Sequence, residues 1–291
     1  MKPVVVGLDP SRPVSAALDW ASVEAGSRHR PLEVWIARGV PVPAQAEVPI
    51  DTLMPDEVAN EAIARAVAHV TKNDPSVPVS GRVCNGSAGA VLVGASRAAE
   101  VIVVGRHGRG RLAEAVLGST SAQVATHAEA PVVVVDDHAP PRSNGEVVVG
   151  VDGSAANRAA IEYGFQAAER GNGMVVAVYA WQLNLPEHVT LPWMSKEGMR
   201  GLVQSQERML HEVLCGWAQR FPDVHVRYVV SRQHAVDRLT QEARSARLLV
   251  VGGRGRGGFA GLLVGSVSRG ILHRAHPCPV VIVHGEPETT E

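Results

Sequence analysis

Cysteine is sparse in this 291-residue chain, and the three present, Cys84, Cys215 and Cys278, are widely separated and odd in number. They make no C-x-x-C pair, which leaves neither a disulfide framework nor a zinc ribbon and fits a reducing cytoplasm. Surplus charge is also lacking: 28 Lys and Arg against 29 Asp and Glu leave a formal net charge of −1. No basic field therefore advertises nucleic acid or an anionic membrane as a partner. No apolar run reaches the roughly 18 residues a spanning helix needs. The apolar stretch behind Lys2 is cut at Asp9, which argues against a secretory signal. The twelve histidines show no H-E-x-x-H or related ligand spacing, so no metal site is expected from protein ligands alone.

What is present is a repeat. The stretch VIVVGRHGRGRLAEAVLGSTS, residues 101–121, returns as LLVVGGRGRGGFAGLLVGSVS, residues 248–268. In the first copy Gly105 is followed by two residues, Gly108, nine residues, and then Gly118 and Ser119. Gly252, Gly255, Gly265 and Ser266 repeat those spacings 147 positions later. Each copy reads as a buried parallel strand, a glycine-rich loop and a helix start. This layout suits an anion. Glycines let the backbone turn sharply and approach a phosphate closely, and the helix start offers free N–H groups and partial positive charge. Ser119 and Ser266 would also serve as N-caps.

The rest of the chain repeats as well. An apolar run ends in Gly7-Leu8-Asp9-Pro10-Ser11, and its counterpart ends in Gly150-Val151-Asp152-Gly153-Ser154, 143 positions on. Asp9 and Asp152 stand where the first strand of each half ends, the edge from which open parallel sheets bind ligands. A carboxylate there can accept hydrogen bonds from ribose hydroxyls, and it can also simply cap a turn. Strands are predicted over 32–37 and 175–181, 79–83 and 224–230, and 131–135 and 279–283. Helices are predicted over 13–28, 55–71 and 199–221. Prolines Pro41, Pro43, Pro49 and Pro55, and Pro186 and Pro192 beside Trp193, keep the segment after strand two irregular in each half. Each half thus reads β-α-β-α-β-α-β-α-β, an α/β fold with a doubly wound parallel sheet. A length prior of about 150 residues per domain agrees with two domains. We place them at 1–137 and 146–285, joined by a polar, proline-containing linker at 138–145.

An enzyme reading meets a specific obstacle. A P-loop NTPase closes its glycine motif with Lys before Ser or Thr, whereas Leu117 and Val264 precede Gly-Ser here. No general base stands at matching positions in both copies: the counterpart of His107 in the second loop is Arg254.

Taken together, these residues resemble the ATP-binding class of universal stress proteins in its tandem two-domain form. The resemblance implies a five-stranded sheet in the order 3-2-1-4-5 per domain, with domains pairing through their last strands. It also implies one ATP per domain, accompanied by Mg2+, with weak or no hydrolysis and a regulatory role in stress or growth arrest. Residue by residue, Asp9 and Asp152 resemble the ribose-contacting aspartates, with Gly7 and Gly150 in the same contact. The loop Gly105, Arg106, His107, Gly108, Arg109, Gly110 and Arg111 would wrap the phosphates. So would Gly252, Gly253, Arg254, Gly255, Arg256, Gly257 and Gly258 in the second copy. Gly118, Ser119 and Thr120, and Gly265, Ser266, Val267 and Ser268, would bind phosphate from the helix start. A cytoplasmic protein forming a homodimer or larger homo-oligomer is the corresponding expectation. The residues that would contact adenine match no motif. Two other functions stay open: an ATPase or nucleotidyl transferase of the adenine-nucleotide α-hydrolase-like group, and a scaffold that no longer binds nucleotide.

Overall fold

The computed structural model describes residues 1–39, 54–106, 117–138, 145–182, 196–255, 264–274 and 277–285. It divides into two compact units, Met1–Pro141 with Leu272–His284, and Arg142–Ile271 with Gly285–Glu291. In the first unit the elements run β1 (Val4–Gly7), α1 (Ala16–Ser27), β2 (Leu32–Arg38), α2 (Asp56–Asn73), β3 (Val79–Asn85), α3 (Ala88–Ala95), β4 (Val101–Gly105), α4 (Ser119–His127) and β5 (Val132–Val135). The second unit carries β6 (Val147–Gly150), a 3-10 turn at Ala155–Asn157, α5 (Arg158–Arg170), β7 (Val175–Ala180), α6 (Lys196–Arg220), β8 (Val226–Ser231), α7 (Ala235–Ala243), β9 (Leu248–Gly252) and α8 (Ser266–Leu272). The last strand, β10 (Val280–Val283), lies in the first unit.

The strands are short runs of valine, isoleucine and leucine because both faces of each sheet are covered. Val4, Val6, Ile102, Val103 and Val132 through Val134 are 0% exposed. Burying each such side chain contributes about 1.5–3 kcal/mol. The first unit's strand order is β3-β2-β1-β4-β5-β10, the 3-2-1-4-5 order followed by one added strand. Its first five strands are parallel. β10 runs antiparallel to β5, with Val281 opposite Val133. The second unit's strands are ordered β9-β6-β7-β8 and are all parallel.

Both sheets place the ends of their first and fourth strands side by side. Gly7 is level with Val104, and Val149 with Val250. The strand order reverses between these two strands, and ligands enter parallel sheets at such switch points. Local details differ from the sequence reading for physical reasons. The first helix begins at Ala16 rather than at residue 13, because Ser15 caps it by accepting a hydrogen bond from the Leu18 amide at 3.4 Å. β3 continues to Asn85 because its pairing with β2 holds to the end, Arg38 opposite Asn85. In the second unit Phe165 of α5 packs on Trp217 and Phe221 at centroid distances of 6.4 and 5.6 Å, which seats the long α6.

Candidate functional site

The second unit shows the site most completely. Asp152 leaves the sheet two residues past Gly150, the last residue of β6. Its Oδ1 accepts hydrogen bonds from the Ser154 amide at 2.8 Å and the Ser154 hydroxyl at 2.7 Å. Between them Gly153 takes φ +74°, a left-handed conformation that a residue with a Cβ adopts at a cost. Asn157 fixes the turn from below. It is 3% exposed, its Oδ1 accepts from the Asp152 amide at 3.3 Å, and its Nδ2 donates to the Gly150 carbonyl at 3.0 Å.

The glycine loop then closes over this turn. A Cβ on Gly255 would overlap the Asp152 Oδ2 atom, so the carboxylate lies directly against the loop backbone. The loop is held at its neck, where the Gly265 amide donates to the Gly253 carbonyl at 2.7 Å. Ser268 donates its hydroxyl to the Gly252 carbonyl at 2.5 Å and ties α8 to the end of β9. Beyond the neck, Arg254 and Ser266 are exposed, while Val267 is half-buried. The spacing of glycines thus has a mechanical meaning: Gly252, Gly255 and Gly265 stand where loop, strand end and helix start come together.

In the first unit the same parts recur. Asp9 Oδ1 accepts from the Ser11 amide at 2.9 Å and the Ser11 hydroxyl at 2.8 Å. Gly7 allows α3 to pack close, since a Cβ there would come 2.5 Å from Leu92 Cδ1. The Gly118 amide donates to the Arg106 carbonyl at 3.0 Å, and Ser121 donates to the Gly105 carbonyl at 2.6 Å. Gly118 is the N-cap of α4, with Ser119 exposed and Thr120 half-buried in its first turn. His107, Gly108, Arg109, Gly110 and Arg111, with Arg256, Gly257 and Gly258 of the second copy, lie outside the described residues.

Two of the residues expected to bind phosphate are buried. Arg106 is 1% exposed, and its Nη1 donates to Asp136 Oδ2 at 3.0 Å, so its charge is paired and buried. Ser268 is 3% exposed and spends its hydroxyl proton on Gly252.

The structure also brings in residues that sequence reasoning missed. Asn157 is one; its counterpart by the 143-residue offset is Val14, which is 46% exposed and makes no such staple. The two turns, GLDPSRPV over 7–14 and GVDGSAAN over 150–157, differ at several positions, so nothing in the sequence singled Asn157 out. Replacing Asn157 with Ala leaves the Asp152 amide and Gly150 carbonyl without this partner and is expected to cost about 1–3 kcal/mol. Urea unfolding of the full chain checks this, and Val14→Ala, at an exposed position, serves as the comparison. At the neighbouring strand ends, Arg38 donates to Asn85 Oδ1 at 2.6 Å and pairs with Asp56. At the corresponding place in the second unit stands Trp181, with the Arg232 guanidinium 5.7 Å from its ring centroid.

Fold and site together define a tandem α/β protein whose glycine-rich motif occurs twice, with the contact between carboxylate and loop described in the second unit. The model of the Universal stress protein family matches residues 1–136 and again 144–284. Universal stress proteins Rv2005c and Rv2623 of Mycobacterium tuberculosis are each 34% identical to this chain, covering 96% of it and 96% and 95% of their own lengths. A universal stress protein of Mycolicibacterium smegmatis is likewise 34% identical, over 96% of both chains. The chain belongs to the universal stress protein family. Among solved structures, a Pseudomonas aeruginosa protein aligns with TM-score 0.68 at 14% identity, covering 98% of this chain and 93% of its own. A universal stress protein of Archaeoglobus fulgidus aligns with TM-score 0.60 at 16% identity, covering 96% and 98%. These share the fold. No helix among the described residues is long and apolar enough to cross a membrane.

Proposed function

We propose that this universal stress protein binds one ATP in each half and acts as a regulator whose surface or self-association changes with nucleotide occupancy. The observation that carries the reading is the contact of Asp152 with Gly255. It joins a carboxylate suited to ribose hydroxyls to a backbone cradle suited to phosphates, at the switch point of a parallel sheet. The cradle also tolerates nothing larger than glycine at that contact, which fits a loop shaped for close backbone approach to an anion. Asp9 and Asp152 would hold the ribose. Backbone amides of the loops and the starts of α4 and α8 would hold the phosphates. Arg254, exposed on its loop, would neutralise phosphate charge.

Among the described residues, no group of three or more His, Cys, Asp or Glu side chains is placed to hold a metal ion. On this reading Mg2+ is bound mainly through the phosphates themselves. Neither copy of the motif ends in the lysine that a P-loop directs at the β- and γ-phosphates, which favours binding over turnover. Incubating the chain with Mg-ATP and separating bound from free nucleotide tests this. The expected result is retained ATP with little ADP over hours; rapid, stoichiometric ADP formation lost in Asp9→Ala and Asp152→Ala would replace the regulator with an ATPase.

A further inference from the structure

Each half carries its ligand elements on separate segments. The carboxylate turn follows the first strand, and the helix start that would hold phosphate follows the fourth. A nucleotide that bridges the two needs their separation fixed beforehand, and the two halves fix it by different means.

In the first unit a continuous path of contacts joins them. Arg106, the residue after β4, donates its amide to the Val135 carbonyl at 2.7 Å, and its carbonyl accepts from the Gly118 amide at 3.0 Å. Its guanidinium donates to Asp136 Oδ2 at 3.0 Å. Gly118, the N-cap of α4, is therefore tied to the exit of β5. Asp136 Oδ1 accepts from the His138 amide at 3.0 Å, an Asx turn that holds Asp137 at its bend. Asp137 Oδ2 pairs with Arg12 Nη1 at 2.9 Å, and the Arg12 amide donates to the Asp9 carbonyl at 2.9 Å. Two adjacent carboxylates thus clasp both ligand elements, one through each arginine.

The second unit is built without these side chains. The counterpart of Arg12 is Ala155, and that of Arg106 is Gly253. PVVVVDD at 131–137 corresponds to PVVIVHG at 279–285, so His284 and Gly285 stand for Asp136 and Asp137. Gly285 meets the carboxylate turn directly: a Cβ there would overlap the Ala156 carbonyl oxygen. Backbone packing takes the place of the ion pair.

We infer that Asp136 and Asp137 are positioning residues of the first nucleotide site: through Arg106 and Arg12 they hold the start of α4 and the Asp9 turn at the separation that phosphates and ribose require. The inference rests on the nucleotide reading above. It makes the two sites inequivalent, since charge at these positions tunes the first and leaves the second alone.

The test reads ATP affinity at each site separately, in full chains carrying Gly265→Glu for the first site and Gly118→Glu for the second. Arg106→Met with Asp136→Leu replaces the buried half of the clasp with apolar residues, and is expected to weaken ATP binding at the first site about 10-fold. Asp137→Arg sets two arginines against each other and is expected to weaken it about 3-fold, although the added positive charge alone would strengthen the attraction for ATP. Arg12→Asp with Asp137→Arg restores an opposite-charge pair and is expected to recover most of that loss. The second site is expected to keep its affinity throughout. Unchanged or tighter first-site binding in Asp137→Arg or in the Arg106→Met, Asp136→Leu chain would overturn the inference, as would a charge swap that recovers nothing. Equal losses at both sites would also overturn it, since they would show a general loss of stability. A Gly265→Glu chain that binds no ATP with the clasp intact overturns the nucleotide reading itself, a result distinct from any effect of the clasp.

Discussion

Gly265→Glu is expected to remove one bound ATP per chain, Gly118→Glu to remove the other, and the double variant to bind none. The neck geometry makes this sharp. At Gly265 the nearest atoms to an added Cβ are the Gly253 carbonyl oxygen at 3.6 Å, Arg254 Cα at 3.8 Å and the Gly255 amide nitrogen at 3.8 Å. These are ordinary contacts, so the fold accepts a side chain there. The glutamate then extends from the loop neck at the start of α8, where it fills the cradle and repels phosphate. Gly118 takes φ −62° and ψ 147°, a conformation open to any residue, so the same logic holds in the first unit. Loss of affinity by at least 100-fold is expected at each altered site, since both the steric overlap and the like charge act at one point. Titration of each variant with ATP reads the stoichiometry, and unchanged thermal unfolding without ligand confirms that the fold is intact.

Asp136→Ala is expected to be the most destabilising single change in the first unit, by about 3–5 kcal/mol, because it strands a buried guanidinium. Arg106 and Asp136 are 1% and 4% exposed, so solvent can do little to replace the lost charge. Replacing both with apolar residues of similar volume, as in Arg106→Met with Asp136→Leu, is expected to recover most of that loss, since desolvation offsets much of a buried pair's Coulombic gain. Denaturant unfolding of the two variants beside the parent decides the matter. A loss under about 1 kcal/mol in Asp136→Ala would show that Arg106 finds another counter-charge.

These expectations also mark where the sequence was informative and where it was not. The doubled motif was legible because its information is local: an apolar run, glycines at fixed intervals and a helix start all lie within about twenty residues. The same locality explains why strands 1 and 4 could be placed. The place of β10 beside β5 followed only from the family resemblance, with its pairing through last strands, and not from the residues of either run. Val280 through Val283 read as a strand on composition alone, but Val132 through Val135 are just as apolar, and nothing in either run states which strand borders which. Residue spacing likewise put Arg106 in the loop but could not bury it. Its partner Asp136 lies 30 positions away, at the end of the first domain just before the linker. Asn157 was invisible for a related reason. It gains its meaning from what surrounds it, as a buried amide bridging two backbone groups.

The central claim is that the cradle is built twice for ATP, and the most direct measurement is calorimetric titration of the nucleotide-stripped full chain with Mg-ATP, beside acid extraction of the protein as purified. The account predicts two ATP per chain at saturation, counting any nucleotide carried through purification. A chain that carries no nucleotide and gives no binding signal with added ATP would contradict it and leave a universal stress protein fold serving as an interaction scaffold.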